Sequence, residues 1–186
     1  MSEAESAQQQ HQQPRPAPGP LLDPMEELLL VRELERFVAN ELELLDTRQF
    51  EQWSELFTDD GIYWAPSRVE QENAADEVSL LYDNRDLREM RFRRLRHPRV
   101  HAQVPHSRTT HVVGNFLIDE IDKSSGELTF HCRFVMHDYR PEMEQRAFSG
   151  RYDYRLLRHG SSFRIKHKKA LIINCDAMHF PVSIPF

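Results

Sequence analysis

Hydrophobic and polar positions change their period once along the chain, from a helical repeat to a strict alternation. Between Pro24 and Asp46, the residues Val31, Leu34, Phe37 with Val38, Leu42 and Leu45 recur at spacings of three and four, which marks one apolar helix face. Arg32, Glu33, Arg36, Asn40, Glu43 and Asp46 occupy the other face. Asp23 stands where an N-cap belongs, Pro24 at the first helical position, and Glu26 and Glu27 in the first turn, all favourable at a helix start. The spacing predicts one long helix over 24–46 whose buried side faces something broad, such as a sheet.

The next stretch, Leu44 to Arg68 (LLDTRQFEQWSELFTDDGIYWAPSR), gathers Phe50, Trp53, Leu56, Phe57, Tyr63 and Trp64. Large aromatics dominate core energetics, so it reads as the nucleus of the fold. It predicts a helix end, a polar elbow, a short aromatic helix, a turn at Asp59-Asp60-Gly61 and a strand from Ile62. Residues 66–85 are irregular, with Val78 to Tyr82 a short strand or turn. Asp86 to Arg96 predicts a helix with Leu87, Met90 and Leu95 partly buried, ended by Pro98.

From Ser107 the period is two. Thr110 to Ile121 places Val112, Phe116 and Ile118 on one face; Leu128, Phe130, Cys132, Phe134 and Met136 alternate with polar positions; Phe148, Gly150, Tyr152, Tyr154 and Leu156 do the same. Phe163, Ile165, Leu171, Ile173 and Cys175 complete a fourth strand. Turn signals at Asp122–Gly126 and His159-Gly160 make consecutive strands antiparallel. Helices first and strands after give an α+β class: a cone-shaped barrel of a long, curved antiparallel sheet of about six strands, wrapped round N-terminal helices. By analogy this is the nuclear-transport-factor-like and ketosteroid-isomerase-like architecture.

Composition adds boundaries. Residues 1–22 are Gln- and Pro-rich with no apolar repeat and read as a disordered arm; 23–186 read as one domain, large enough for a core without disulfides. Cys132 and Cys175 belong to no paired motif, as in a reducing cytoplasm. No apolar run suits a signal peptide or a membrane span. The net charge of −6 disfavours general nucleic-acid affinity.

Three constellations bear on chemistry. His101, His106 and His111 recur every five residues, but without HExxH or CxxC, and residues five apart on a strand face opposite ways. A two-histidine, one-carboxylate iron set from His106, His111 and Asp119 is therefore disfavoured, and the C-x-H and C-x-x-H pairs of a Rieske cluster are absent. Asp46, Tyr63, His111 and His131 would suit acid–base work in a cone pocket, although His131 falls on the polar face of its strand. Arg85, Arg88, Arg91, Arg93, Arg94, Arg96 and Arg99 form a run interleaved with apolar residues, which reads as a protein interface or a salt-bridged surface. No phosphate loop and no GxSxG elbow is present.

Three blocks resemble the small (β) subunit of aromatic-ring-hydroxylating dioxygenases, the Rieske non-haem iron oxygenases. They are Leu44–Arg68; Pro105–Ile118 (PHSRTTHVVGNFLI); and Phe148–Cys175 (FSGRYDYRLLRHGSSFRIKHKKALIINC), followed by a tail ending in Phe186. The segment Glu77–Arg96 is most similar to the benzoate and anthranilate type. The resemblance implies a chain without cofactor or catalytic residues. Its implied partner is a catalytic large (α) subunit carrying a Rieske [2Fe–2S] cluster and mononuclear Fe(II), in an assembly of three large and three small subunits, the small ones associating as a trimer. The complex would cis-dihydroxylate an aromatic compound, an aromatic carboxylate by the type resembled, with O₂ and NAD(P)H-derived electrons. The alternative reading is a stand-alone cone dehydratase or isomerase built on Asp46, Tyr63 and His111.

Overall fold

The computed structural model describes residues 22–74, 77–96, 105–141, 143–179 and 184–186. The helix α1 spans Pro24–Asp46, as the capping signals and periodicity predicted. The Asp23 carboxylate accepts hydrogen bonds from the Met25 and Glu26 amides at 2.9 and 3.2 Å, replacing the partners that a first helical turn lacks. The far end closes as a Schellman motif, with the Arg48 amide donating to Leu45 O (3.0 Å) and Gln49 to Leu44 O (2.7 Å). Arg48 takes the left-handed position usually held by glycine, with φ 61°. This is the elbow that turns the chain into α2, Phe50–Glu55.

The strand β1, Phe57–Ala65, corrects the expected turn at Asp59-Asp60-Gly61: the strand runs through it, with a register break between Phe57 and Ile62. The cause is Gly61, where a Cβ would lie 2.6 Å from the Ile165 carbonyl. Glycine lets the two backbones approach and absorbs the irregularity as a bulge. The strand β2 is short, Leu81–Asp83, and leads into α3, Arg85–Arg96. The buried stripe of α3 is Arg88, Phe92 and Leu95, whereas Leu87 and Met90, expected to be partly buried, are exposed. A charged residue inside the stripe rotated the helix away from the face that hydropathy alone selects.

Four long strands follow: β3 Arg108–Asp122, β4 Glu127–Tyr139, β5 Arg146–His159 and β6 Ser162–Ile172. Among the described residues they form, with β1 and β2, one six-stranded sheet in the order β2-β1-β6-β5-β4-β3. Every pairing is antiparallel except β1 with β6, which is parallel. The sheet is thus mostly antiparallel, with one crossover. Alternation in β4 and β5 is as read from the sequence. Two faces differ. In β3, Asn115 adopts φ 57° at a register shift, and the bulge reverses the alternation. Val112 therefore faces outward, 65% exposed, while Phe116 and Ile118 pack against the core. In β6, a shift opposite Arg155/Leu156 turns Lys168, Ala170 and Ile172 inward; Leu171 is only partly buried, and Ile173 is exposed beyond the strand.

The core lies between α1 and the concave face of the sheet. Leu34, Phe37, Val38, Leu42 and Leu45 meet Phe130, Phe134, Tyr152, Tyr154 and Ile165. Offset rings reinforce the cross-strand packing: Phe130 stacks on Tyr154 with centroids 4.7 Å apart, and Phe134 on Tyr152 at 4.0 Å. Ile184 and Phe186 return into the same core, where Phe186 meets Phe148 edge-on at 5.1 Å.

Candidate functional site

The structure joins two of the three interior candidates. Asp46, the last residue of α1, accepts from Thr109 Oγ1 (2.6 Å) and the His111 amide (3.0 Å), and lies 2.7 Å from His111 Nδ1. Burial alone would raise the Asp46 carboxyl, but the hydrogen bonds from His111 and Thr109 and the His111 charge outweigh it and hold it below its ordinary value. This cluster fastens the end of α1 to β3. Tyr63 is elsewhere: its hydroxyl accepts from the Phe186 amide at 2.9 Å and faces the Phe186 main-chain oxygen at 3.5 Å. Burial pushes its phenol well up. The side chain that a cone enzyme would aim at substrate is spent on the returning tail.

A second interior cluster escaped the sequence reading. Glu41 and Lys168 have wholly buried side chains. The Glu41 carboxylate accepts from Lys168 Nζ (2.7 Å), Trp53 Nε1 (2.9 Å) and Tyr154 Oη (2.6 Å). Lys168 Nζ also sits 4.1 Å from the centre of the Tyr152 ring, a desolvated cation–π contact. Burial raises Tyr154 and Tyr152 well above the ordinary phenol range, with Glu41 adding to it, and pushes the Cys132 thiol up to about 12. One signal was legible: Glu41 falls within the apolar stripe of α1, three residues after Val38 and four before Leu45.

The histidine set does not assemble. His111 faces Asp46, His106 is exposed, and Asp119 pairs with His131 Nδ1 at 2.9 Å. His131 lies opposite exposed Leu117 on the outer face, as its alternation required. His101 and Arg99 lie outside the described residues. Among the described residues no group of three or more His, Cys, Asp or Glu is gathered to hold a metal ion, and no helix is long and apolar enough to cross a membrane.

The arginine run divides into roles. Arg91 forms a fork with Asp83 (2.6 and 2.9 Å), and Arg88 is buried, 1% exposed. Arg85 pairs with Asp59 at 2.5 Å and Glu89 at 3.4 Å, and Arg96 with Glu51. Arg93 and Arg94 are exposed and have no ion pair among the described residues. Most of the run borders an outward groove of about 570 Å³ between α2, α3 and β1, with Phe57 and Phe92 in its lining.

Fold and site together define a cone-shaped α+β protein whose interior polar groups largely bind one another. The chain belongs to the family of ring hydroxylating beta subunits, which it matches over residues 40–177. It is 33% identical over 147 residues to the small oxygenase component of the p-cumate 2,3-dioxygenase system of Pseudomonas putida, covering 75% of this chain and 77% of the relative. To the beta subunit of biphenyl 2,3-dioxygenase from Rhodococcus jostii it is 30% identical, covering 86% and 85%. The crystal structure of the benzoate 1,2-dioxygenase beta subunit from Burkholderia mallei superposes with a TM-score of 0.64 at 25% identity, covering 78% of this chain and 92% of that one.

Proposed function

We propose that this chain is the non-catalytic small subunit of a multicomponent aromatic ring-hydroxylating dioxygenase of the cytoplasm. The observation that carries this reading is the family match across residues 40–177. The interior agrees with it: Asp46 and Glu41 are engaged by donors of the chain itself, an arrangement that stabilises a scaffold. The partner is a catalytic large subunit holding the Rieske [2Fe–2S] cluster and mononuclear iron, three copies with three of this chain, which also associates as a trimer. The assembly adds both atoms of O₂ to an arene as a cis-dihydrodiol, using two electrons from NAD(P)H. The names of the p-cumate and benzoate relatives favour an aromatic carboxylate as substrate. Residues 23–186 act as one domain, and the arm before them is dispensable for assembly.

The test is to purify the chain alone and together with the large subunit encoded beside it, then compare mass by light scattering, visible absorbance and turnover of an aromatic carboxylate. A colourless protein that becomes a coloured hexamer with activity only in the joint preparation is the expected result. A stable monomer with its own dehydratase or isomerase turnover overturns the reading. Deleting Met1–Gly19 leaves the hexamer intact; its loss would contradict the account of the arm.

A further inference from the structure

The groove between α2, α3 and β1 has a charge pattern that its own residues leave incomplete. On its wall, the buried Arg88 guanidinium is fixed by Ser54 Oγ (3.3 Å), Gly61 O (2.6 Å) and Asp83 O (3.2 Å), and lies 4.1 Å from the centre of the Phe57 ring. These are dipolar acceptors, none of them a carboxylate. The nearby Asp83 carboxylate is occupied by the fork of Arg91. Burial lowers Arg88 to about 10, against the opposing pull of the Asp83 and Glu89 charges, so the cation persists at neutral pH without a carboxylate hydrogen-bonded to it.

The rim repeats the pattern. Of the carboxylates in the lining, Asp59 and Glu89 are taken by Arg85 and Glu51 by Arg96. Arg93 of α3 and Arg164 of β6 also line the groove and have no ion pair among the described residues. The lining as a whole sets five arginines (Arg85, Arg88, Arg93, Arg96 and Arg164) against four carboxylates (Glu51, Glu55, Asp59 and Glu89), a small local excess of positive charge in a chain of net charge −6. Planar guanidinium forks favour carboxylates, and arginine is enriched at protein interfaces. Phe57 and Phe92 in the lining are themselves buried, so the groove offers a partner charge rather than apolar area.

We propose that this groove receives an acidic segment of the large oxygenase subunit, its carboxylates paired with Arg93 and Arg164 and lying towards Arg88. The inference rests on the subunit reading above and assigns the surface by which that partner docks. Arg85, Arg91 and Arg96 hold the groove in shape, and Arg93 and Arg164 are the contacting pair.

The double reversal Arg93→Glu with Arg164→Glu tests it, because neither side chain takes part in the core. Circular dichroism and a thermal melt check that the variant is folded; Arg32→Glu, on the exposed side of α1, is the control. Purified full-length chains are titrated with the large subunit at low and high salt. The reversal is expected to weaken association by at least about 30-fold at low salt, less at high salt as screening shortens the reach of the charges, while Arg32→Glu stays near wild type. In hydrogen exchange of the wild-type complex, α2 and α3 gain protection. Unchanged association of the folded reversal variant, an equal loss in Arg32→Glu, or no protection of α2 and α3 overturns the groove assignment and leaves the subunit reading standing. Failure of the wild-type chain to bind the large subunit overturns both.

Discussion

The interior cluster around Glu41 and the arginine face of α3 both place charges next to aromatic rings, but they complete them differently. Inside, Glu41 meets Lys168, Trp53 and Tyr154, so its lone pairs are occupied by the chain's own donors. On α3, the buried Arg88 rests on dipoles, and at the surface Arg93 and Arg94 meet no carboxylate among the described residues. The first arrangement fixes one packing of α1 on the sheet. The second leaves electrostatic attraction for another molecule. Charge that is complete belongs to the fold, and charge that is incomplete points outward to assembly.

The sharpest way to break this contrast is to remove one interior partner. Lys168→Met leaves the Glu41 carboxylate buried without its cation, and stability is expected to fall by about 4 kcal/mol, measured by urea unfolding. Adding Glu41→Gln restores part of it, because the stranded charge is removed. Asp46→Ala comes next: Thr109 and His111 lose their shared acceptor, for a loss of about 2 kcal/mol. The pH dependence has a definite sign. The Asp46 carboxyl lies below its ordinary 3.8 in the folded chain, so its contribution is complete above that value and disappears as pH falls through the lower folded value. The advantage of wild type over Asp46→Asn is therefore expected to erode as pH falls below about 4.

Smaller effects sharpen the same contrast. Arg48→Gly relieves a left-handed backbone position at the elbow and is expected to raise stability by about 1 kcal/mol, seen as a higher melting temperature. Loss of the arginine's contact with the Phe50 ring, 5.1 Å from its centroid, offsets part of this. At the other extreme, Arg94→Ala on the outer face of α3 changes stability by less than about 0.5 kcal/mol. A large loss there would mean that the arginine face is part of the fold after all.

Much of the architecture was legible because its signals are local. Asp23, Pro24 and the three-and-four repeat bounded α1, and the period of two in β4 and β5 named their buried faces correctly. The errors occur where one residue breaks a period. Asn115 reverses the face of β3, a shift in β6 carries Lys168 inward, and Arg88 occupies a stripe that hydropathy assigns to Leu87 and Met90. Asp46 and His111 were legible as candidates, yet their contact joins positions 65 residues apart, and Tyr63 meets Phe186 across 123. Such pairings follow from sheet register, which a single chain's pattern fixes only when every bulge is known. Lys168 was hidden for a further reason: within the run KHKK, nothing local distinguishes the one lysine whose partner lies inside.

The most direct test is the mass and colour of the chain purified with and without its large partner. The account predicts a colourless chain without turnover when alone, and a coloured, active hexamer when the two are combined. A lone chain that stays monomeric, ignores the large subunit and turns over a substrate by itself would contradict it.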